Sequence, residues 1–159
     1  RFELIDEGQN YSVIVDYAHT PDGLENILKT ARQIARGRII TVFGAGGDRD
    51  RTKRPLMGRI AAEYSDFSII TSDNPRSEDP LAIIDDIMVG VKENDSAYYA
   101  IVPDRREAIR HSVYLANTDD MVIIAGKGHE DYQIIKGEVF PFDDRLIARE
   151  YIRKKEHHE

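Results

Sequence analysis

The sequence predicts an α/β fold: a mostly parallel sheet of about six strands between two helical layers, with an antiparallel hairpin at one edge. Apolar runs of strand length alternate five times with segments whose apolar residues recur at helical spacing, the pattern of a parallel sheet with crossover helices. The runs are continuously apolar, as strands covered on both faces require. Near the end, Tyr132 to Ile135 and Glu138 to Phe140 flank Lys136-Gly137, a short hairpin expected to add the antiparallel edge strand. Together these describe a three-layer, Rossmann-like domain.

Val13, Ile14 and Val15 place the first core strand at Tyr11 to Val15. Its helix follows from Thr20 as N-cap, Pro21 in the first turn, and the stripe Leu24, Ile27, Leu28, Ala31 and Ile34. Ile39 to Phe43 is the second strand. It exits through Gly44, Gly46 and Gly47 into four cations, Arg49, Arg51, Lys53 and Arg54, and Pro55 then marks a helix start ahead of Met57, Ile60, Ala61 and Tyr64. Phe67 to Thr71 is the third strand. The residue before a proline is held extended, which is expected to aim Asp73 and Asn74 outward from the sheet ahead of Pro75. Asp79-Pro80 opens a helix with Leu81, Ile84, Ile87, Met88 and Val91 inward. Ala97 to Val102 is the fourth strand, and Asp104 with Glu107 starts the helix carrying Ile109, Ser112, Val113 and Ala116, with His111 on the surface. Met121 to Ala125 is the fifth. Asp143 or Asp144 caps a closing helix through Ile147, Ala148, Tyr151 and Ile152, leaving 154–159 as a frayed polar tail.

A chain of 159 residues suffices for one domain with a substantial core and is too short for two ordinary ones. With 22 Lys and Arg against 29 Asp and Glu, the net charge of −7 opposes nonspecific attraction to nucleic acid or an anionic membrane, so neither is expected as a partner. The lack of cysteine excludes disulfides, thiolate metal sites and thiol nucleophiles. No long apolar run or signal peptide is visible, so the expected location is cytoplasmic. Arg1 leads straight into Phe2-Glu3-Leu4-Ile5 without an initiator methionine, which suggests a piece of a longer protein.

Four charged loops, at 16–22, 44–54, 73–76 and 126–131, each follow a parallel strand and therefore share one rim, the usual binding face of such sheets. The loop after Phe43 combines a glycine turn, cations and a helix N-terminus, which suits an anion. The common nucleotide motifs fail. A dinucleotide fingerprint from Gly44 needs glycine where Arg49 stands, and Gly126-Lys127 is followed by Gly128 rather than the Ser or Thr of a P-loop. A nicotinamide-dependent oxidoreductase is thereby disfavoured, and any ATP is not cradled by this chain alone. For Asp16 and His19, a turn cap and a packed ring are as well supported by spacing as a ligand contact.

The segments Asp16-Tyr17-Ala18-His19-Thr20-Pro21-Asp22, Gly46-Gly47-Asp48-Arg49-Asp50, Lys53-Arg54-Pro55, Asp73-Asn74-Pro75-Arg76 and Gly126-Lys127-Gly128-His129-Glu130-Asp131-Tyr132-Gln133 resemble, in order and spacing, the carboxyl-terminal domain of the Mur ligases of the diaminopimelate-adding type. The resemblance spans nearly the whole chain and sets the expected domain at residues 1–153. It implies part of an ATP-dependent amide ligase of peptidoglycan synthesis. ATP, a substrate, phosphorylates a carboxylate of UDP-N-acetylmuramoyl-L-alanyl-D-glutamate, and the amine of meso-diaminopimelate displaces the phosphate. It also implies upstream domains that hold the uridine nucleotide, the P-loop and the magnesium ligands, so that this domain is inactive alone. Carried over residue by residue, Arg49, Asp73, Asn74, Pro75, Arg76, Gly126 and Glu130 bind the diamino acid, while Arg1, Asp16, Tyr17 and His19 face ATP. No catalytic residue and no metal ligand fall on this chain, and Lys127 and His129 shape their loop. Chemistry supports Arg76 independently: a planar guanidinium grips the remote carboxylate that distinguishes diaminopimelate from lysine. A site built around such a group rejects the analogue lacking it by roughly 10⁴ or more. The alternative is a stand-alone amino-acid or nucleotide binding module without turnover.

Overall fold

The computed structural model describes residues 2–158. Its main sheet has six strands in the order β1-β2-β6-β3-β4-β5. These are β1 (Glu3–Leu4), β2 (Ser12–Asp16), β3 (Ile39–Phe43), β4 (Phe67–Ile70), β5 (Tyr99–Ile101) and β6 (Met121–Ala125). All but β1 run parallel, with Ile39 of β3 opposite Met121 and Ile40 opposite Phe67. Alternate side chains serve opposite cores. Ile14, Ile39, Phe43, Ile70 and Ile123 face α1 (Pro21–Ile34), α2 (Lys53–Tyr64) and α3 (Pro80–Val91), while Val13, Val15, Ile40, Val42, Ile69 and Ile124 face α4 (Arg105–Leu115) and α5 (Asp144–Glu156). The continuous apolar runs are thus explained by burial on both sides.

Helix starts follow the expected chemistry. Side chains of Thr20, Asp79, Asp104 and Asp143 accept N–H bonds from Gly23, Leu81, Glu107 and Arg145, each cap worth about 1 kcal/mol. Asp143, not Asp144, is therefore the last cap. Helix α2 begins at Lys53, two residues before Pro55. Proline fits there because no first-turn N–H has a partner within the helix. In α3 the inward residues include Ile83, and Leu81 is exposed.

Two expectations are corrected. The antiparallel edge strand is β1, beside β2, whereas the hairpin β7 (Tyr132–Ile135) and β8 (Glu138–Pro141) forms a separate two-stranded ribbon. The cause is the sheet order: β6 lies between β2 and β3, so the chain leaving it emerges in the middle of the rim, far from either edge. Residues 154–156 belong to α5 and are not a frayed tail. Lys155 Nζ donates to the carbonyls of Val113 and Ala116 at 2.9 and 2.5 Å, tying α5 to the end of α4. Among the described residues no helix is long and apolar enough to cross a membrane.

Candidate functional site

Because β2, β3, β4 and β6 are parallel, the loops that leave them meet at one rim, around a cleft of about 360 Å³. Tyr17 and His19 line it from the loop after β2, Arg49 from that after β3, Asp73, Asn74 and Arg76 from that after β4, and Gly126 and Glu130 from that after β6. Of the residues singled out in the sequence, Asp16 and Pro75 are not on this wall. Asp16 Oδ1 accepts the N–H of Ala18, the turn-capping role, and Pro75 is buried behind the loop. Arg1 lies outside the described residues.

The loops after β3 and β4 are clasped together. Gly47 N–H donates to Asn74 O at 2.8 Å, and Arg76 Nη1 donates to Gly47 O at 2.9 Å. The glycines serve this approach of backbone to backbone: a side chain at Gly44 or Gly47 would collide with the backbone of Thr71 or Pro75. Asp48 joins them with its carboxylate on Ser77 Oγ, while its N–H meets Glu78 at 2.6 Å. Asp48 and Arg76 adopt left-handed backbone, φ 55° and 54°, which side chains other than glycine rarely hold unless the surroundings fix them. Hydrogen bonds on both sides do so here.

The run of cations is not a uniform anion site. Arg54 is buried, with Nη2 to Glu78 at 2.8 Å, Nη1 to Asp86 at 3.0 Å and Nη2 to Gly46 O at 3.0 Å. Arg51 also turns to Asp86. The Arg54 guanidinium and the Asp48 N–H hold the Glu78 carboxyl down, at about 2. Arg49, by contrast, spends one bond on the carbonyl of Asp48 and is exposed, with no partner for Nη2 or Nε among the described residues.

Asp73 and Asn74 do not point outward as the Asn-Pro step suggests; they are 8% and 2% exposed, drawn in by partners distant in sequence. Gln133 Nε2 donates to Asp73 O at 2.8 Å, and Ile134 N–H donates to Asn74 Oδ1 at 3.0 Å. The ribbon continues the splint: Arg76 N–H meets Ile134 O at 2.9 Å, and Lys136 N–H meets Arg76 O at 2.6 Å. The Asp73 carboxylate accepts no hydrogen bond among the described residues, and Gly126, at φ 120°, leaves the space beside Oδ2. Burial pushes the Asp73 carboxyl up, against the pull of Arg105 and Lys127.

Arg105 went unmarked in the sequence. It is buried with Asp144, bonded through Nε at 2.9 Å and Nη2 at 2.7 Å, and it also donates to Ser72 O and Ala125 O. It therefore ties the ends of β4 and β6 beneath the cleft to the start of α5. Helical spacing held the signal, since Arg105 is in phase with the buried Ala108, Ile109 and Ser112.

The wall thus offers cations at Arg49, Lys53 and Arg76, and carboxylates at Asp50, Asp73 and Glu130, around one cavity, with the paired Arg54 also on it. Among the described residues no group of three or more His, Cys, Asp or Glu is placed to hold a metal. The family described as Mur ligase, glutamate ligase domain, matches residues 1–128. The chain belongs to the Mur ligase family. Similar proteins include the UDP-N-acetylmuramoyl-L-alanyl-D-glutamate--2,6-diaminopimelate ligase of Syntrophomonas wolfei, 63% identical over 155 residues, 98% of this chain and 32% of that protein. That of Bacillus cereus is 59% identical over 152 residues, 96% of this chain and 30% of that protein. A solved ligase structure of the same description superposes with a TM-score of 0.93 at 43% identity, over 99% of this chain and 32% of that one. This Mur ligase domain therefore spans about a third of the length of the curated relatives it matches. In it, all five sequence segments of the resemblance contribute to the cleft wall, four from loops that leave the strands and Lys53-Arg54-Pro55 from the first turn of α2.

Proposed function

We propose that this Mur ligase domain holds meso-diaminopimelate as the incoming amine in an ATP-dependent ligation to UDP-N-acetylmuramoyl-L-alanyl-D-glutamate, in the cytoplasm, as the last domain of a longer polypeptide. The observation that carries it is the convergence of Arg49, Arg76, Asp73 and Glu130 on one cleft. A ligand with two carboxylates and two ammonium groups needs two charges of each sign. Arg76 takes the remote carboxylate, Arg49 the other, and Asp73, Gly126 O and Glu130 receive the remote ammonium. Asn74 adds an amide to the same end, and Pro75 sets its loop. Tyr17 and His19, with ring centroids 4.5 Å apart, offer an aromatic surface to adenine at the cleft wall; the family resemblance gives Asp16 to the ribose and Arg1, outside the described residues, to the phosphates.

In the reaction, a carboxylate oxygen of the nucleotide dipeptide attacks the terminal phosphorus of ATP and ADP leaves. The free amine of the diamino acid then attacks the acyl carbon, phosphate departs with the C–O electron pair, and the new amide loses a proton. The contribution of this domain is to hold the amine in line. The P-loop and magnesium belong to the preceding domains.

Steady-state ligation by the full-length polypeptide carrying this chain tests the assignment. Arg76→Ala is expected to raise KM for meso-diaminopimelate by on the order of 30-fold or more, since hydrogen bonds to charged groups contribute about 1.5–3 kcal/mol each. KM for ATP is expected to stay within about twofold, because a contact made to one substrate leaves uniform binding of the other intact. Unchanged kinetics toward the diamino acid would refute the role of Arg76.

A further inference from the structure

We propose that Lys127 is a positioning residue for the diamino acid, fixing which way the Asn74 amide faces and which Glu130 oxygen is offered to the ligand. This rests on the function proposed above. Lys127 is fully buried and is not part of the cleft wall, whereas Asn74 and Glu130 both are. Its ammonium donates to Asn74 Oδ1 at 3.1 Å and to Glu130 Oε1 at 3.3 Å, and sits 5.2 Å from the centre of the Tyr132 ring. Whatever Lys127 does for a ligand, it does through those two neighbours.

An amide oxygen has two lone pairs, and both on Asn74 are committed to donors, Lys127 Nζ and the Ile134 N–H. Neither donor can accept, so the inverted amide would face two N–H groups with its own. Asn74 Nδ2 is thereby left as the outward group. Among the described residues nothing accepts from it, and it is not a sealed polar atom. Asn74 accordingly presents a donor, which suits a carboxylate and repels an ammonium. At Glu130 the ammonium occupies Oε1 and leaves Oε2 for a cation of the ligand. One buried cation thus sorts the cleft into an anion-accepting and a cation-accepting side, beside Arg76 and Asp73.

Kinetics of the full-length polypeptide decide it. Lys127→Met keeps the side-chain stem and removes the ammonium. KM for meso-diaminopimelate is expected to rise about tenfold, with kcat and KM for ATP within about twofold, the signature of lost ground-state and transition-state binding together. Asn74→Asp retains oxygens for Lys127 and Ile134 but has no N–H to offer, and a comparable rise is expected. Circular dichroism checks that each variant folds; if Lys127→Met does not, Asn74→Asp decides alone. A wild-type KM for the diamino acid in a folded Lys127→Met or in Asn74→Asp overturns the proposal, as does a Lys127→Met that loses kcat with KM unchanged. A wild-type polypeptide that ligates no diamino acid sinks the ligase function and this role with it. One that does, beside variants of unchanged KM, sinks only the role of Lys127.

Discussion

Asp73 sits nearly buried at the cleft wall with a carboxylate that accepts no hydrogen bond among the described residues, and desolvation raises its pKa in spite of Arg105 and Lys127. Since the folded value is raised, the stability contributed by the neutral form is complete below the ordinary value of 3.8 and is lost as pH rises through the folded one. At pH 7, where the carboxyl is ionised in the unfolded chain, burying it opposes folding. Asp73→Asn is therefore expected to raise the thermal midpoint at pH 7, by about 2–4 °C per kcal/mol regained, with a smaller gain near pH 3. It is also expected to weaken binding of the diamino acid. A lowered midpoint at pH 7 would contradict this cost of burying the Asp73 carboxyl. Residues of this kind were only partly legible beforehand. Arg76 and Glu130 stood out as charges on strand-end loops, and Lys127 stood out only as shaping its loop, because Lys127 and Gln133 also reach partners 53 and 60 residues away that no local spacing shows.

At the scale of elements, the clasp between the loops after β3 and β4 depends on Arg54, Glu78 and Asp86. Glu78 has a depressed pKa, so its contribution is present above its ordinary 4.5 and is lost as pH falls toward about 2. Limited proteolysis across pH 5 to about 2 is expected to show cleavage within 44–54 before the sheet unfolds, because loops open below the global free energy. Simultaneous loss of both would show that the clasp is not an independent unit. Arg54→Met, which removes the cation and leaves two carboxylates facing each other, is expected to produce the same loop sensitivity at pH 7. The helical period places Arg54 in phase with Met57, Gly58 and Ala61, so its inward direction was readable in the sequence, while its acidic partners, on the next helix and its preceding loop, were not.

Across the whole molecule, Arg105 and Asp144 connect the two halves of the rim to the layer of α4 and α5. Asp144→Asn leaves a buried guanidinium without its anion, which is expected to cost about 3–5 kcal/mol of stability in chemical denaturation. Arg105→Met combined with Asp144→Leu is expected to recover much of that loss, since neither charge then remains buried alone. A double variant no more stable than the single one would mean that the bonds from Arg105 to Ser72 and Ala125 carry the stability instead.

The sequence by itself determined the α/β class, the parallel direction of the core strands, three of the caps and the rim on which the charged loops lie. These follow from apolar runs, helical spacing and the chemistry of Thr, Asp and Pro next to them, all of which act over a few residues. Only the tertiary structure decided that β1 rather than the hairpin closes the sheet edge, that α5 absorbs residues 154–156, and which carboxylates meet Arg54. Each of these depends on which strand lies beside which. Inserting β6 between β2 and β3 brings the Gly126 to Glu130 loop onto Asn74, and no spacing along the chain encodes that meeting.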